Sequence, residues 1–562
     1  MPENNSVPSY VCGTGDKPLI YKTIGRVFDE TCASFPDQTA IIVGHQNIEL
    51  SYGELQKRVN VVAANLLKMG LSSGDRIGIW SPNNFEWVVT QLATAKTGLV
   101  LVTINPAYRI SELDYALNKS TCKALILAAE FKTSNYIEIL TTLAPELTKC
   151  AAGELEAENL PHLKFVIQLS EKAVPGMYKF STLYDAVEEQ HRNTVETLAS
   201  QLQPDDPINI QFTSGTTGFP KGATLTHCNI LNNGMFVTEA MKLTEQDRLC
   251  IPVPLYHCFG MVMGVLGCIT HGSTMVFPDE AFEPNSVLRM VERHRCTALY
   301  GVPTMFIAIL GCENFANFNL TSLRTGIMAG APCPIDVMKR VIKDMHMNEV
   351  TIAYGMTETS PVSFQSSTDD PVEKRVSTVG RVMPHVQVKI IDEEGRVVAR
   401  GERGELCTRG YSVMREYWDE PEKTRDSIDA TGWMHTGDLA VLDDEGYCDI
   451  VGRVKDMIIR GGENIYPREL EEYLIQHKKI QDVSVFGIPD EKYGEQICAW
   501  IQLRAGESAD EEEIKDYCRG QIAHYKVPYR IEFVSEFPMT VTGKIQKFVM
   551  RDQVIERLSR SS

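Results

Sequence analysis

The apolar positions of residues 20–130 switch repeatedly between two periods. Tyr52–Met69 spaces them as one face of a helix, whereas Arg76–Trp80 and Gly98–Thr103 are short apolar runs of the strand type. Helix and strand patterns that follow one another in this way predict α/β layers with partly parallel sheets. Residues 148–162 are polar and aperiodic and predict a surface loop. Asn209–Thr213 predicts a strand running into a Gly/Thr-rich segment, and the chain from Thr226 onward predicts a helix. The best uninterrupted apolar run, Met261–Ile269, is far shorter than a bilayer-spanning helix, so no transmembrane segment is expected.

Further along, Val386–Ile391, Gly404–Thr408 and Tyr447–Val451 are strand-like and separated by turn signals such as Glu394-Gly395, which predicts a β-rich subdomain. Strand-like sequence gives way to a charged segment at Gly452–Asp456. Beyond it lie two helix patterns (Arg468–His477, Asp510–Arg519) and two strand patterns (Asp482–Gly487, Ile497–Leu503), enough for a small α+β domain. The expected architecture is therefore α/β. A large N-terminal domain, residues 1–451, holds layered α/β subdomains and the β-rich subdomain; a hinge at 452–456 leads to a small C-terminal domain, 457–562. The acidic run Asp510–Glu513 suits the N-terminal end of its helix and requires no partner.

Composition narrows the picture a little. With 562 residues the chain is too long for one core. Its formal net charge of −19 gives no global attraction for nucleic acid or an anionic membrane, so an anionic substrate must be held locally. Fifteen cysteines without a CxxC pair or a clustered Cys/His spacing suggest reduced, buried thiols and argue against structural zinc. The first residues have neither a signal-peptide apolar stretch nor an Arg-rich character, and the last three are not a peroxisomal tripeptide; cytosol is the default compartment.

Candidate chemistry is concentrated in Thr213-Ser214-Gly215-Thr216-Thr217-Gly218-Phe219-Pro220-Lys221-Gly222. Three glycines allow backbone N–H groups to converge on one point, the hydroxyls add donors, and Lys221 adds a cation, a combination suited to a polyphosphate. It is not a Walker A loop, because Pro220 stands where the second glycine belongs and no Ser/Thr follows Lys221. Nor is it a nucleophile elbow, because Phe212 replaces the first glycine.

This string resembles the phosphate loop of the adenylate-forming superfamily, which includes acyl-CoA synthetases, luciferases and peptide-synthetase adenylation domains. Tyr354-Gly355-Met356-Thr357-Glu358-Thr359, His435-Thr436-Gly437-Asp438, Gly452-Arg453-Val454-Lys455-Asp456 and Thr542-Gly543-Lys544 match later superfamily motifs in the right order, over about residues 25–550. Asn209–Phe212, Pro254–Cys258 and Lys455–Pro467 most resemble a medium-chain fatty acyl-CoA ligase branch, whose family resemblance also raises a mitochondrial location.

The resemblance implies joining of a carboxylate to the α-phosphate of ATP with loss of pyrophosphate, followed by transfer to CoA. Both reactants are anions, so a cation aimed at the developing charge is the natural remedy, and losing one such group costs about 3–4 kcal/mol. Lys544 takes that role by resemblance; Lys547 stands where arginine is frequent in the superfamily. Glu358 suits a Mg²⁺ partner beside the phosphates, with Thr357 as a phosphate contact. Gly330-Ala331-Pro332 and Tyr354 resemble the adenine walls. Asp438 would accept the ribose hydroxyls, and Arg453 would give a second ribose and phosphate contact. His257 resembles the gate beside an acyl pocket, with Gly264, Gly267 and Gly301 leaving room for a chain. Lys455 stands at the superfamily's hinge, about which the mobile C-terminal domain rotates to present first Lys544 and then Gly461-Gly462 toward the CoA thiol.

The 18 residues after Lys544 are too few for an appended carrier-protein domain, which leaves free CoA as the default acceptor and a separate carrier protein as the lesser one. A luciferase-like oxidase would retain every ATP motif. A non-catalytic acyl- or nucleotide-binding module would be expected to have lost Lys544, Glu358 or Asp438, and all three are intact. Chain-length preference and oligomeric state are left open.

Overall fold

In the computed structural model, residues 7–213, 220–331, 333–460, 463–490, 492–519, 521–539 and 545–561 are described. The chain forms two compact units, one comprising Val11–Val388 and Thr408–Met434, the other Met1–Tyr10, Lys389–Cys407 and His435–Ser562.

The first unit contains two large mixed sheets. One has eight strands in the order Tyr178–Lys179, Phe165–Gln168, Ala124–Leu127, Arg76–Trp80, Val100–Thr103, Pro207–Thr213, Lys221–Thr226, Glu416–Tyr417. Its pairings are parallel as far as Pro207–Thr213 and antiparallel for the last two strands. The other has nine strands with a parallel centre, in which Ala298–Gly301, Thr325–Ala329 and Glu349–Gly355 lie side by side. These central strands are buried along nearly their whole length, as sheets covered by helices require.

Local signals hold up well. The helix Tyr52–Lys68 opens with a Ser51/Glu54 capping box. Thr226 caps His227–Ala240 through its hydroxyl. The Gly98–Thr103 strand begins only at Val100, because Gly98 closes the preceding helix at a φ of 71°. Residues 148–162 depart from expectation: they contain no helix or strand after Thr148, yet Leu155, Ala157 and Leu160 are buried in the core with Trp80 and Tyr136. Polarity along the segment concealed three widely spaced anchors that tie it down.

The second unit includes the greater part of strands Arg403–Gly410, Met434–Leu442 and Cys448–Arg453. It also has a five-stranded sheet in which Ile480–Asp490 pairs antiparallel with Gly494–Leu503 and Arg530–Phe533 runs parallel to the latter. Helix Glu511–Cys518 starts at Asp510, whose side chain accepts from the Glu513 N–H. This compact division differs from a cut at 452–456, because 389–407 and 435–451 cluster with the C-terminal segment rather than with the large unit. All fifteen cysteines are free; Cys12 is exposed and most of the others are buried. No described helix is long and apolar enough to cross a membrane.

Candidate active site

Strands Pro207–Thr213 and Lys221–Thr226 flank the Gly/Thr-rich segment and pair so that Thr213 faces Lys221. Ser214, Gly215, Thr216, Thr217, Gly218 and Phe219 lie outside the described residues, as do Pro332, Gly461, Gly462 and Lys544. The first unit does bring together several described residues next to Thr213 and Lys221.

Thr325–Ala329 and Glu349–Gly355 are parallel neighbours, so Gly330-Ala331 and Tyr354-Gly355 emerge side by side at the carboxyl ends of their strands. Ligands of open α/β sheets bind at such edges. Gly330 has a φ of 91°, which a side chain tolerates poorly. At Gly355 the chain folds back sharply: the Met356 N–H donates to the Pro361 carbonyl at 3.0 Å, and a Cβ on Gly355 would lie 1.7 Å from that same oxygen. The short turn Thr357–Thr359 is thereby fixed, and with it Glu358. Buried Asn233 holds the returning strand by donating to the Val362 carbonyl and accepting from its N–H.

Glu358 is buried, at 6% exposure. One carboxylate oxygen, Oε1, accepts from Thr213 Oγ1 at 3.2 Å and from the Tyr417 hydroxyl at 2.8 Å. The Glu358 carbonyl accepts from the Met414 N–H. Burial, and then the charge of Glu358, push the Tyr417 phenol well above its ordinary pKa, so it remains a donor. The Lys221 ammonium lies 4.7 Å from the centre of the Tyr417 ring. The buried carboxylate is held by two neutral hydroxyls, and its second oxygen has no hydrogen bond among the described residues. That arrangement suits a hard cation such as Mg²⁺.

His257 adjoins this cluster. It is half-buried, and its Nδ1 accepts from the Phe259 N–H at 3.1 Å, with the Tyr256 ring edge-on to it. Cys258 donates to Gln211 Oε1 at 3.0 Å, and it also hydrogen-bonds Thr357. Burial pushes its thiol up to about 12 despite those hydrogen bonds, which makes it unreactive. Asn83 anchors the approach to His257, donating to the Val253 carbonyl and accepting from the Leu255 N–H. The apolar run forms a buried π-helical stretch, Phe259–Leu266, followed by Gly267–His271. The room expected beside Gly264, Gly267 and Gly301 is occupied on their Cβ sides. A Cβ at each would meet Ile251, Thr238 and Phe306 respectively, at 2.5–3.0 Å, so their smallness is used in close packing.

In the second unit, Asp438 and Arg453 stand opposite each other on paired strands, with Arg453 Nε 3.0 Å from Asp438 Oδ1. Gly437, at a φ of 69°, forms the bend before Asp438. Glu405 steadies that bend: its Oε1 accepts from the Gly437 N–H and its Oε2 meets His435 Nδ1 at 3.0 Å, close to Cys407. The Thr436 hydroxyl donates to the Leu406 carbonyl and accepts from the Asp438 N–H. Lys455 lies exposed in the turn Val454–Asp456. Tyr417, Asn83, Asn233 and Glu405 were not evident from sequence; each acts across a gap in the chain that no local pattern spans.

A clamped carboxylate at the carboxyl edge of parallel strands, bonded to Thr213 where a hydroxyl-rich segment begins, is an arrangement suited to a nucleotide and its metal. The family model described as AMP-binding enzyme matches residues 28–418, and that described as AMP-binding enzyme C-terminal domain matches residues 469–544. The chain belongs to the AMP-binding enzyme family. It is 47% identical to "Putative acyl-CoA synthetase YngI" of Bacillus subtilis, over 97% of this chain and 99% of that protein. It is 45% identical to "Medium-chain acyl-CoA ligase ACSF2, mitochondrial" of Bos taurus, over 98% of this chain and 90% of that protein. Among solved structures, ATP-bound MatB from Rhodopseudomonas palustris superposes with a TM-score of 0.78 at 27% identity, covering 94% of this chain and 98% of that one.

Proposed function

We propose that the chain is an AMP-forming fatty acyl-CoA synthetase. It joins a medium-chain fatty acid to ATP as acyl-AMP, releasing pyrophosphate, and passes the acyl group to CoA. The observation that carries this reading is the clamped Glu358 carboxylate, set between the foot of the Thr213–Lys221 loop and the strand ends bearing Gly330 and Tyr354. Near-full-length likeness to the bovine medium-chain ligase supports the acyl substrate, and its mitochondrial designation supports that compartment over the cytosol.

In this reading Thr213–Lys221 and Thr357 hold the phosphates, Gly330-Ala331-Pro332 and Tyr354 flank the adenine, and Asp438 with Arg453 holds the ribose. Glu358 holds Mg²⁺, which supplies charge neutralisation at the phosphates when bound. Lys544 bridges the attacking carboxylate and the α-phosphate. His257 gates the acyl pocket, Lys455 is the hinge of the second half-reaction, and Gly461-Gly462 approach the CoA thiol. Since Gly264 and Gly301 are packed, the acyl pocket derives its affinity from other apolar side chains, at ~0.8 kcal/mol per buried CH₂.

The test is ATP–pyrophosphate exchange with C2–C18 carboxylates, repeated with CoA while AMP and thioester are followed. Exchange peaking on C6–C12 acids, reduced on the order of 10²–10³-fold in Lys544→Ala, with CoA-dependent thioester, is the expected result. No exchange with any acid would remove the reading; exchange without thioester would point to a different acceptor.

A further inference from the structure

We propose that Tyr417 is a positioning residue for the divalent cation, fixing the Glu358 carboxylate so that its second oxygen is presented to the metal; this rests on the reading of Glu358 as metal ligand. The backbone around Tyr417 is held on both sides. Glu416–Tyr417 pairs antiparallel with Lys221–Thr226, Tyr417 opposite Ala223, and thus lies beside the strand that follows the Gly/Thr-rich segment. The Tyr417 N–H donates to Thr424 Oγ1 at 3.0 Å, and the next N–H, of Trp418, donates to the Gly222 carbonyl at 2.7 Å. The ring is buried, at 4% exposure, and its hydroxyl donates to Glu358 while also hydrogen-bonding Ser427.

Two donors on Oε1, from Tyr417 and Thr213, fix the plane of the carboxylate and leave Oε2 without a hydrogen-bond partner among the described residues. A phenol suits the task better than lysine or arginine would. It orients the carboxylate without neutralising it, whereas a cation in its place would compete with the metal for the same charge. The face of the same ring receives Lys221, so one side chain keeps the loop's cation and the carboxylate in fixed relation without their forming an ion pair.

Tyr417→Phe removes the hydroxyl while keeping the ring that Lys221 covers. Binding of Mn²⁺, as the probe metal, is measured from the electron paramagnetic resonance signal of free Mn²⁺ in the presence of enzyme and a non-hydrolysable ATP analogue. We expect about 10- to 150-fold weaker Mn²⁺ binding in Tyr417→Phe, the scale of one hydrogen bond to a charged group. A matching rise in the Mg²⁺ concentration for half-maximal exchange should accompany it, with kcat at saturating Mg²⁺ and the melting temperature close to those of the unsubstituted protein. Glu358→Gln, measured in parallel, should lose the enzyme-dependent Mn²⁺ binding. Unchanged Mn²⁺ affinity in Tyr417→Phe while Glu358→Gln loses it would overturn the positioning role alone. Retained affinity in Glu358→Gln would overturn the metal-ligand reading beneath it. A fall in kcat and melting temperature with no change in metal affinity would make Tyr417 a purely structural residue.

Discussion

Gly355 is the point at which a single atom decides the site. Its hydrogen in the Cβ position lets the chain double back so that the Pro361 carbonyl passes where a methyl group would be, at 1.7 Å. Gly355→Ala therefore forces the turn bearing Glu358 outward. The expected cost is about 1–3 kcal/mol or more, as for overpacked cores, seen as a lower urea midpoint together with weaker ATP–pyrophosphate exchange. The packed glycines make a contrasting case. Because the space beside Gly264 is already taken by Ile251, Gly264→Ala perturbs packing rather than shortening an acyl chamber. Its chain-length profile in the exchange assay should keep the same optimum; a shift of the optimum toward shorter acids would restore Gly264 to the pocket wall.

Helix His227–Ala240 shows how an element imposes a pH dependence. Its first residue, His227, is fully buried, accepts from the Ile24 N–H through Nδ1 at 3.2 Å, and leaves Nε2 buried without a hydrogen-bond partner among the described residues. Burial drives its pKa down to about 3, and a cation at a helix N-terminus is also opposed by the helix dipole. The folded-state value is below the unfolded ~6.5, so as acid is added the unfolded chain takes up the proton first. The stability from keeping His227 neutral is complete above about pH 6.5 and falls from there toward pH 3, by about 2 kcal/mol on reaching pH 5. His227→Asn, whose side-chain oxygen can still accept from Ile24, should lose that much less between pH 7 and pH 5 in urea denaturation. Equal losses in both proteins would mean that other groups govern the acid limb.

At the scale of the molecule, the hinge reading of Lys455 has a consequence within the second unit. Among the described residues, contacts that join residues before the hinge to residues after it include the Arg403 guanidinium, 3.8 Å from the centre of the Tyr466 ring, and Arg468 with Asp449 at 3.5 Å. If the chain turns about Lys455, both pairs have to part, and they then stabilise this arrangement over the turned one. Arg403→Ala combined with Asp449→Asn should then shift the balance between the poses. The half-reactions, measured separately as ATP–pyrophosphate exchange and as thioester formation from supplied acyl-AMP and CoA, should move in opposite directions. A parallel fall in both would show that the pairs merely stabilise the fold.

The sequence by itself determined the elements and the family motifs. Periods of 3.6 and 2, caps such as Ser51 and Thr226, and motifs such as Thr213–Gly222 and His435–Asp438 are written within a few consecutive residues, and so can be read without knowing what packs against them. The tertiary structure decided what those residues touch. Glu358 meets Thr213 across 145 positions of the chain and Tyr417 across 59, distances bridged only by sheet register. The burial of Leu155 and Leu160, the filling of the space beside Gly264 and Gly301, and the grouping of 389–407 with the C-terminal segment arise in the same way. Each depends on which distant surface arrives at a position, and a local pattern of polarity contains no record of that.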